Sequence, residues 1–190
     1  MAVTTDSPQP SEPVDLAAMV GLFYPADPER LAEFRQVPAD ELPTVPRQLL
    51  DHDEHMTITV EAFHGSAVAV KIIRTLESTG WYAREIILTR EDNGSVVQYG
   101  IVRLRPDLFQ PDVWSQIREG RLPLGRVLIR HNVFRKVERI ALWKVISGPR
   151  LAELLRIVPK SVVYGRTARI ICDHAPAIEL LEIVVPSFRS

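Results

Sequence analysis

The sequence lacks most of the features that would declare a class at first sight. Of its 190 residues a single one is cysteine, Cys172. That excludes an internal disulfide framework and a cysteine-cluster zinc site, and it fits a reducing, cytoplasmic setting. A surplus of either charge is missing too: 23 Lys and Arg stand against 24 Asp and Glu, a formal net charge of −1. Such a balance offers no general attraction to nucleic acid or to an anionic membrane. No apolar run approaches the roughly 20 residues of a membrane span, and the polar first 13 residues lack the apolar stretch of a secretory signal. There is no internal repeat, no glycine-rich phosphate loop and no regular strand–helix alternation of a doubly wound fold. His52, His55, His64, His131 and His174 show neither the i, i+4 spacing of a zinc protease nor a shared strand face, so no metal is expected. Ser66, Ser147 and Ser161 lack a nucleophile-elbow context, and Cys172, beside a turn, reads as a small apolar filler.

What is present describes an ordinary soluble chain, with 46% hydrophobic and 25% charged residues and a length that fits one domain. Eight of the 15 prolines fall in the first 50 residues. Residues 1–15 read as a solvated, disordered tail and residues 16–190 as the folded domain. Asp27-Pro28-Glu29 has the form of a helix start, with Asp27 as cap, and the helix would carry Leu31 and Phe34 inward and stop before Pro38. Leu49 and Leu50 lie in a short helical or turn segment. Residues 56–63 alternate Met56, Ile58, Val60 and Ala62 against Thr57, Thr59, Glu61 and Phe63, which describes a strand, turned by His64-Gly65-Ser66 into a second strand over residues 67–76. A further hairpin joins residues 81–90 to 95–105 through Asn93-Gly94. Residues 111–119 form a helix closed by Gly120, burying Val113, Trp114 and Ile117, and Leu122 to Arg126 form a loop. A long strand containing Phe134 over residues 133–146, a helix over 149–158 and a last hairpin over 162–172 and 177–185 complete the pattern. The class is α+β: a single antiparallel β-sheet of about six to seven strands flanked by helices, which would lie on one side of it.

Two charges stand where apolar residues belong. In Trp81 to Leu88 strand alternation puts Arg84 on one side with Tyr82, Ile86 and Leu88, and Glu85 on the other with Trp81, Ala83 and Ile87. A guanidinium keeps its proton, so burial there demands an anion, supplied either by the protein or by a ligand. In the last strand Glu182 shares a face with Leu180 and Val184. A carboxyl among apolar side chains would have a raised pKa, suited to proton transfer near neutral pH. Alternatively, Glu182 is simply the anion that answers Arg84, an internal pair without chemistry. A base and an acid on core-facing strands suggest a small anionic ligand between them. Arg103, on one strand face with Tyr99 and Ile101, is either another anion contact or an exposed strand arginine.

Four blocks together resemble the chorismate lyases that make 4-hydroxybenzoate: Leu49-Leu50 with Met56-Thr57, Tyr82 to Leu88, Pro123-Leu124-Gly125-Arg126, and Glu182 to Pro186. Tyr164-Gly165-Arg166 is similar to the actinobacterial branch. The resemblance implies a monomeric, cytoplasmic, cofactor-independent carbon–oxygen lyase with an internal ligand cavity closed by flaps. It would eliminate pyruvate from chorismate, with no nucleic-acid or membrane partner. By motif, Arg84 holds the ring carboxylate and Glu182 is the acid at the opposite end, the two forming the catalytic pair. Met56 is a cavity wall, and Leu124, followed by Gly125, touches the ring compound through its backbone. The family arginine after the glycine of the second hairpin is absent, because Ile101 follows Gly100, and Arg103 would take its place. An alternative from another class is a non-catalytic, effector-type domain that binds a small aromatic acid, since one fold serves many functions. No DNA-reading helix pair is legible ahead of the sheet, which speaks against a complete regulator.

Overall fold

The computed structural model describes residues 14–133 and 135–185. Most of the expected tail, residues 1–13, therefore lies outside the described residues, as do Phe134 and Pro186. The Asp15 carboxylate accepts hydrogen bonds from the backbone N–H groups of Ala17 (2.9 Å) and Ala18 (3.3 Å) and so caps α1 (Leu16–Gly21). Val14 beside it is buried.

Asp27 does cap a helical turn, but only a 3₁₀ turn, Pro28–Arg30. The expected helix ends there because the Gly148 N–H donates to the Leu31 carbonyl (2.8 Å), and the chain runs on as β1 (Ala32–Val37), paired antiparallel with a later strand through Ala32 and Ser147. Next come α2 (Thr44–Leu50), which buries Leu49 and Leu50, and α3 (Met56–His64). The expected strand over residues 56–63 is thus a helix. A short β-branched apolar segment satisfies both periods, and burial shows which one holds. Met56, Thr57 and Val60 are buried at helical spacing, whereas Ile58, a core residue in the strand reading, is 45% exposed. Gly65 adopts φ +62 and closes the helix as a left-handed cap, so its positive φ serves a helix end and not a hairpin.

The hairpins follow: β2 (Val68–Ser78), β3 (Trp81–Arg90) and β4 (Val96–Leu104). Then come α4 (Pro111–Glu119), closed by Gly120, and α5 (Leu124–Arg130), which replaces the expected loop after Pro123. The last elements are β5 (Arg135–Ser147), α6 (Pro149–Leu155), β6 (Val162–Cys172) and β7 (Ala175–Val184). All seven strands join one antiparallel sheet in the order β1-β5-β6-β7-β4-β3-β2. The expected class, α+β with one antiparallel sheet flanked by helices, is the class observed.

The helices do not lie on one side, as the sequence suggested. α1 and α6 cover one face, burying Met19, Leu151 and Leu155 against Tyr99, Ile101, Leu181 and Ile183. α2 to α5 cover the other face in two apolar clusters, one around Leu49, Leu50, Met56 and Ile86 and one around Ile117, Leu124, Val102 and Leu180. Both sets of side chains on β4 and β7 are therefore interior, which is why these strands read as nearly continuous apolar runs.

β6 and β7 approach closely at Gly165, where an added Cβ would stand 2.7 Å from the Glu182 carbonyl oxygen and 3.0 Å from Ile183 Cγ1. A main-chain atom cannot swing aside as a side chain can, so Gly165→Ala is expected to destabilise the fold by about 1–3 kcal/mol. The midpoint of urea unfolding checks this, and an unshifted midpoint would contradict the close approach.

Candidate functional site

The strand register builds a floor of three parallel rows on the face under α2 to α5. Arg84, Val102, Leu180 and Ala168 stand opposite one another in the first, Ile86, Gly100, Glu182 and Arg166 in the second, and Leu88, Gln98, Val184 and Tyr164 in the third. At the centre Gly100 has no side chain, and the floor sinks there into a hollow. Its roof is made of His55, Met56 and Thr57 at the start of α3 and Pro123, Leu124 and Gly125 at the start of α5. Gly125 permits this closeness: a Cβ there would lie 3.3 Å from Thr57 Oγ1 and 3.4 Å from His55 Cβ. Leu88, Val137 and Ile170 add apolar wall.

Of the residues singled out from the sequence, Met56, Leu124, Gly125 and Glu182 line this hollow. Arg84 stands at its edge, on the face shared with the lining Ile86 and directly opposite the lining Val102. It is 0% exposed. Its Nη1 donates to the Ile117 carbonyl at the end of α4 (2.9 Å), while Nε and Nη2 have no hydrogen-bond partner. Burial holds its pKa below the usual arginine value, and the Tyr82 hydroxyl works against that shift. An arginine so placed remains protonated, so two donors of a cationic fork are buried and unused.

The expected opposition of Arg84 and an isolated acid is not what the fold contains. Glu182 accepts from Arg166 Nε (2.7 Å), a neighbour across β6 and β7 in the same row. Arg166, also 0% exposed, spends its remaining reach on the chain above: Nη1 donates to the His52 carbonyl (2.7 Å) and Nη2 to the Glu54 carbonyl (3.1 Å). Glu182 is thus half of an ion pair that ties down the segment leading into α3. The internal pair between Arg84 and Glu182 is not formed either.

Arg103 is corrected in the same way. Its odd position on β4 puts it on the opposite face from Gly100 and Val102, where it pairs with Glu179 and lies over the Trp81 ring, 4.8 Å from the centroid. It does not replace the arginine absent at Ile101, which is itself buried in the core of that opposite face.

Two further residues of the hollow were not foreseen as part of a site. Gln98 is buried at 3% exposure, and its Oε1 has no hydrogen-bond partner. His55 accepts from Arg135 Nε at Nε2 (2.5 Å), a bond that requires neutral imidazole. Burial first, then the charges of Arg135 and Arg166, push its pKa down to about 4. Among the described residues no group of three or more His, Cys, Asp or Glu stands close enough to hold a metal ion, and no helix is long and apolar enough to cross a membrane. Burial pushes the Cys172 thiol up to about 12, in keeping with a filler.

No protein-family model matches this sequence, and no curated protein matches it. Among solved structures, PhnF from Mycobacterium smegmatis is similar at 12% identity and a TM-score of 0.48, over 70% of this chain and 64% of that one. The ligand-binding domain of a protein assigned as a GntR-family transcriptional regulator from Bordetella bronchiseptica is similar at 12% identity and a TM-score of 0.47, over 64% of this chain and 90% of that domain. The C-terminal domain of the histidine utilization repressor from Pseudomonas syringae pv. tomato is similar at 13% identity and a TM-score of 0.42, over 65% of this chain and 99% of that domain. The expectation of a carbon–oxygen lyase is corrected by the geometry of the site. The acid on which proton transfer was to rest is engaged by Arg166.

Removing Arg166 would leave Glu182 buried without its partner and free two backbone carbonyls. Arg166→Met is therefore expected to lower stability by about 3–5 kcal/mol, with part of the loss recovered in Arg166→Met/Glu182→Leu; additive losses in urea unfolding would rule out the pairing. His55 gives a pH signature. Its folded pKa lies below the unfolded value of 6.5, so the folded state binds fewer protons and stability is fully present above about 6.5 and lost as pH falls toward about 4. His55→Phe should flatten that part of the stability profile, and an unchanged slope would contradict a neutral, buried His55.

Proposed function

We propose that this chain is a non-catalytic binding domain for a small aromatic acid, of the effector type. One observation carries the reading: Arg84 offers Nε and Nη2, buried and unpartnered, at the edge of a largely apolar hollow. Buried arginines are ordinarily matched by an anion, and the protein's own nearby carboxylate is committed to Arg166. A planar fork of two N–H donors suits a carboxylate, which can accept both. The walls suit the rest of an aromatic acid, with Met56 and Leu124 above the ring and Ile86, Val102 and Leu180 below it.

The reading has no need of proton transfer. Binding would be driven by replacing an unmatched cation with a matched one and by covering apolar surface. The donors used by the carboxylate are fixed by the fold, because β3 and the Ile117 carbonyl already hold the guanidinium in place. Little side-chain freedom would then be lost on binding.

Isothermal titration with benzoate and 4-hydroxybenzoate tests this. The native chain is expected to bind at least one of them, and Arg84→Met to bind about 100-fold more weakly, the loss of two charge-assisted hydrogen bonds. The same variant should be no less stable than the native chain without ligand, because it removes an unpartnered buried charge. Chorismate is expected to decay no faster with the protein than without it, and pyruvate release above the protein-free rate would overturn the non-catalytic reading.

A further inference from the structure

We propose that Gln98 sets the ligand's chemistry: its buried side-chain oxygen selects, among small aromatic acids, those that carry a hydrogen-bond donor at the end remote from Arg84. The inference rests on the reading of Arg84 as the carboxylate anchor. It adds a specificity determinant that the anchor alone does not supply.

Gln98 sits on β4, in the interior of the sheet, with Leu88 opposite it on β3 and Val184 opposite it on β7. Neither side chain can donate a hydrogen bond, so its two strand neighbours leave the amide oxygen unsatisfied. The side chain lines the hollow, is 3% exposed, and its Oε1 has no partner. Orphaned acceptors of this kind are rare in folded proteins and call for a ligand or an ordered water. Position along the strand defines which part of a ligand would reach it. Val102, directly opposite Arg84, and Gln98 are four residues apart on β4, about 13 Å at the rise of a strand. A ring held by its carboxylate at Arg84 therefore turns its far edge toward Gln98.

The chemistry at that edge follows from the acceptor. A hydroxyl or an amino group donates to Oε1 and replaces the missing bond, whereas a methyl or a hydrogen leaves the oxygen buried and dry. A site built around a hydrogen bond rejects an analogue that cannot make it far more strongly than an apolar pocket rejects a change of size. Glu182, in the adjacent row, has Oε2 on Arg166, and a two-hydrogen donor such as an amino group can address both side chains.

The full chain, its Gln98→Met variant and, in parallel, Gln98→Leu are titrated with 4-hydroxybenzoate, 4-aminobenzoate and 4-methylbenzoate. The methyl group matches the hydroxyl in size and lacks the donor. The native chain is expected to favour the hydroxyl and amino acids by on the order of tenfold, and both variants to lose most of that preference while binding 4-methylbenzoate at least as well. A native chain that does not distinguish the three acids would show the Gln98 oxygen to be satisfied by water, and a preference that survives in both variants would assign the selection to Glu182. Either result overturns the inference and leaves the anchor standing. Failure of the native chain to bind any of the three overturns the anchor itself.

Discussion

A sheet covered on both faces leaves its central strands no solvent to turn to, and β3 places opposite charges at consecutive positions of such a strand. Arg84 and Glu85 are each 0% exposed. Strand alternation points them to opposite faces, so they cannot answer one another. Each must be matched from the layer that covers it, and the two layers respond differently. On the α1 and α6 side Glu85 accepts from Tyr99 Oη (2.8 Å), from Arg74 Nε (2.7 Å) and from the Tyr24 hydroxyl. Burial works to raise its pKa, but those three donors outweigh it and hold the carboxyl below its ordinary range. That network is closed, and it fixes the segment after α1 to the sheet, with Arg74 also donating to the Phe23 carbonyl (3.2 Å). On the other side, among the described residues, Arg84 receives the Ile117 carbonyl and has the Tyr82 hydroxyl beside it, with no carboxylate to pair with.

The difference sorts the buried charges by purpose. The Arg166–Glu182 pair belongs with Glu85: all its strong contacts are internal, and its effect is to hold the segment before α3 over the floor. Arg84 and Gln98 stand apart, because a donor pair and an acceptor are left over after the protein's own bonds are made. They lie in the first and third rows of the floor, on either side of Gly100, where a missing side chain makes the room. Unused polar groups thus stand at two ends of one face, with a gap between them.

Much of this outline could be seen before the fold was known. The burial of Arg84 followed from the alternation of Tyr82, Ile86 and Leu88 around it, and the β3–β4 hairpin from Asn93-Gly94, where Gly94 adopts φ +70. α4, β5 and α6 were legible because their patterns are long or well capped. α3 was not, since residues 56–63 fit a strand period as well as a helical one, and with α3 misplaced the place of His55 in the roof beside Met56 and Leu124 could not be foreseen. Arg166 was within reach, because it stands among Tyr164, Ala168 and Ile170 on β6 much as Arg84 stands on β3. Its role as the partner of Glu182 depended on the β6–β7 register, which no local pattern reveals. Gln98 gave no local sign, because a polar residue in a strand is ordinary until both faces of the sheet are known to be covered.

The walls of the hollow come from stretches far apart in the chain: residues near 55, 86, 100, 124, 137, 166 and 182 all meet there. No single hairpin or helix pair contains the site in miniature. Contacts of such wide sequence separation form late, because long loops must close before they are rewarded. A partly synthesised chain that stops between β4 and β5 would therefore lack the hollow, whose presence reports that the whole sheet has been assembled.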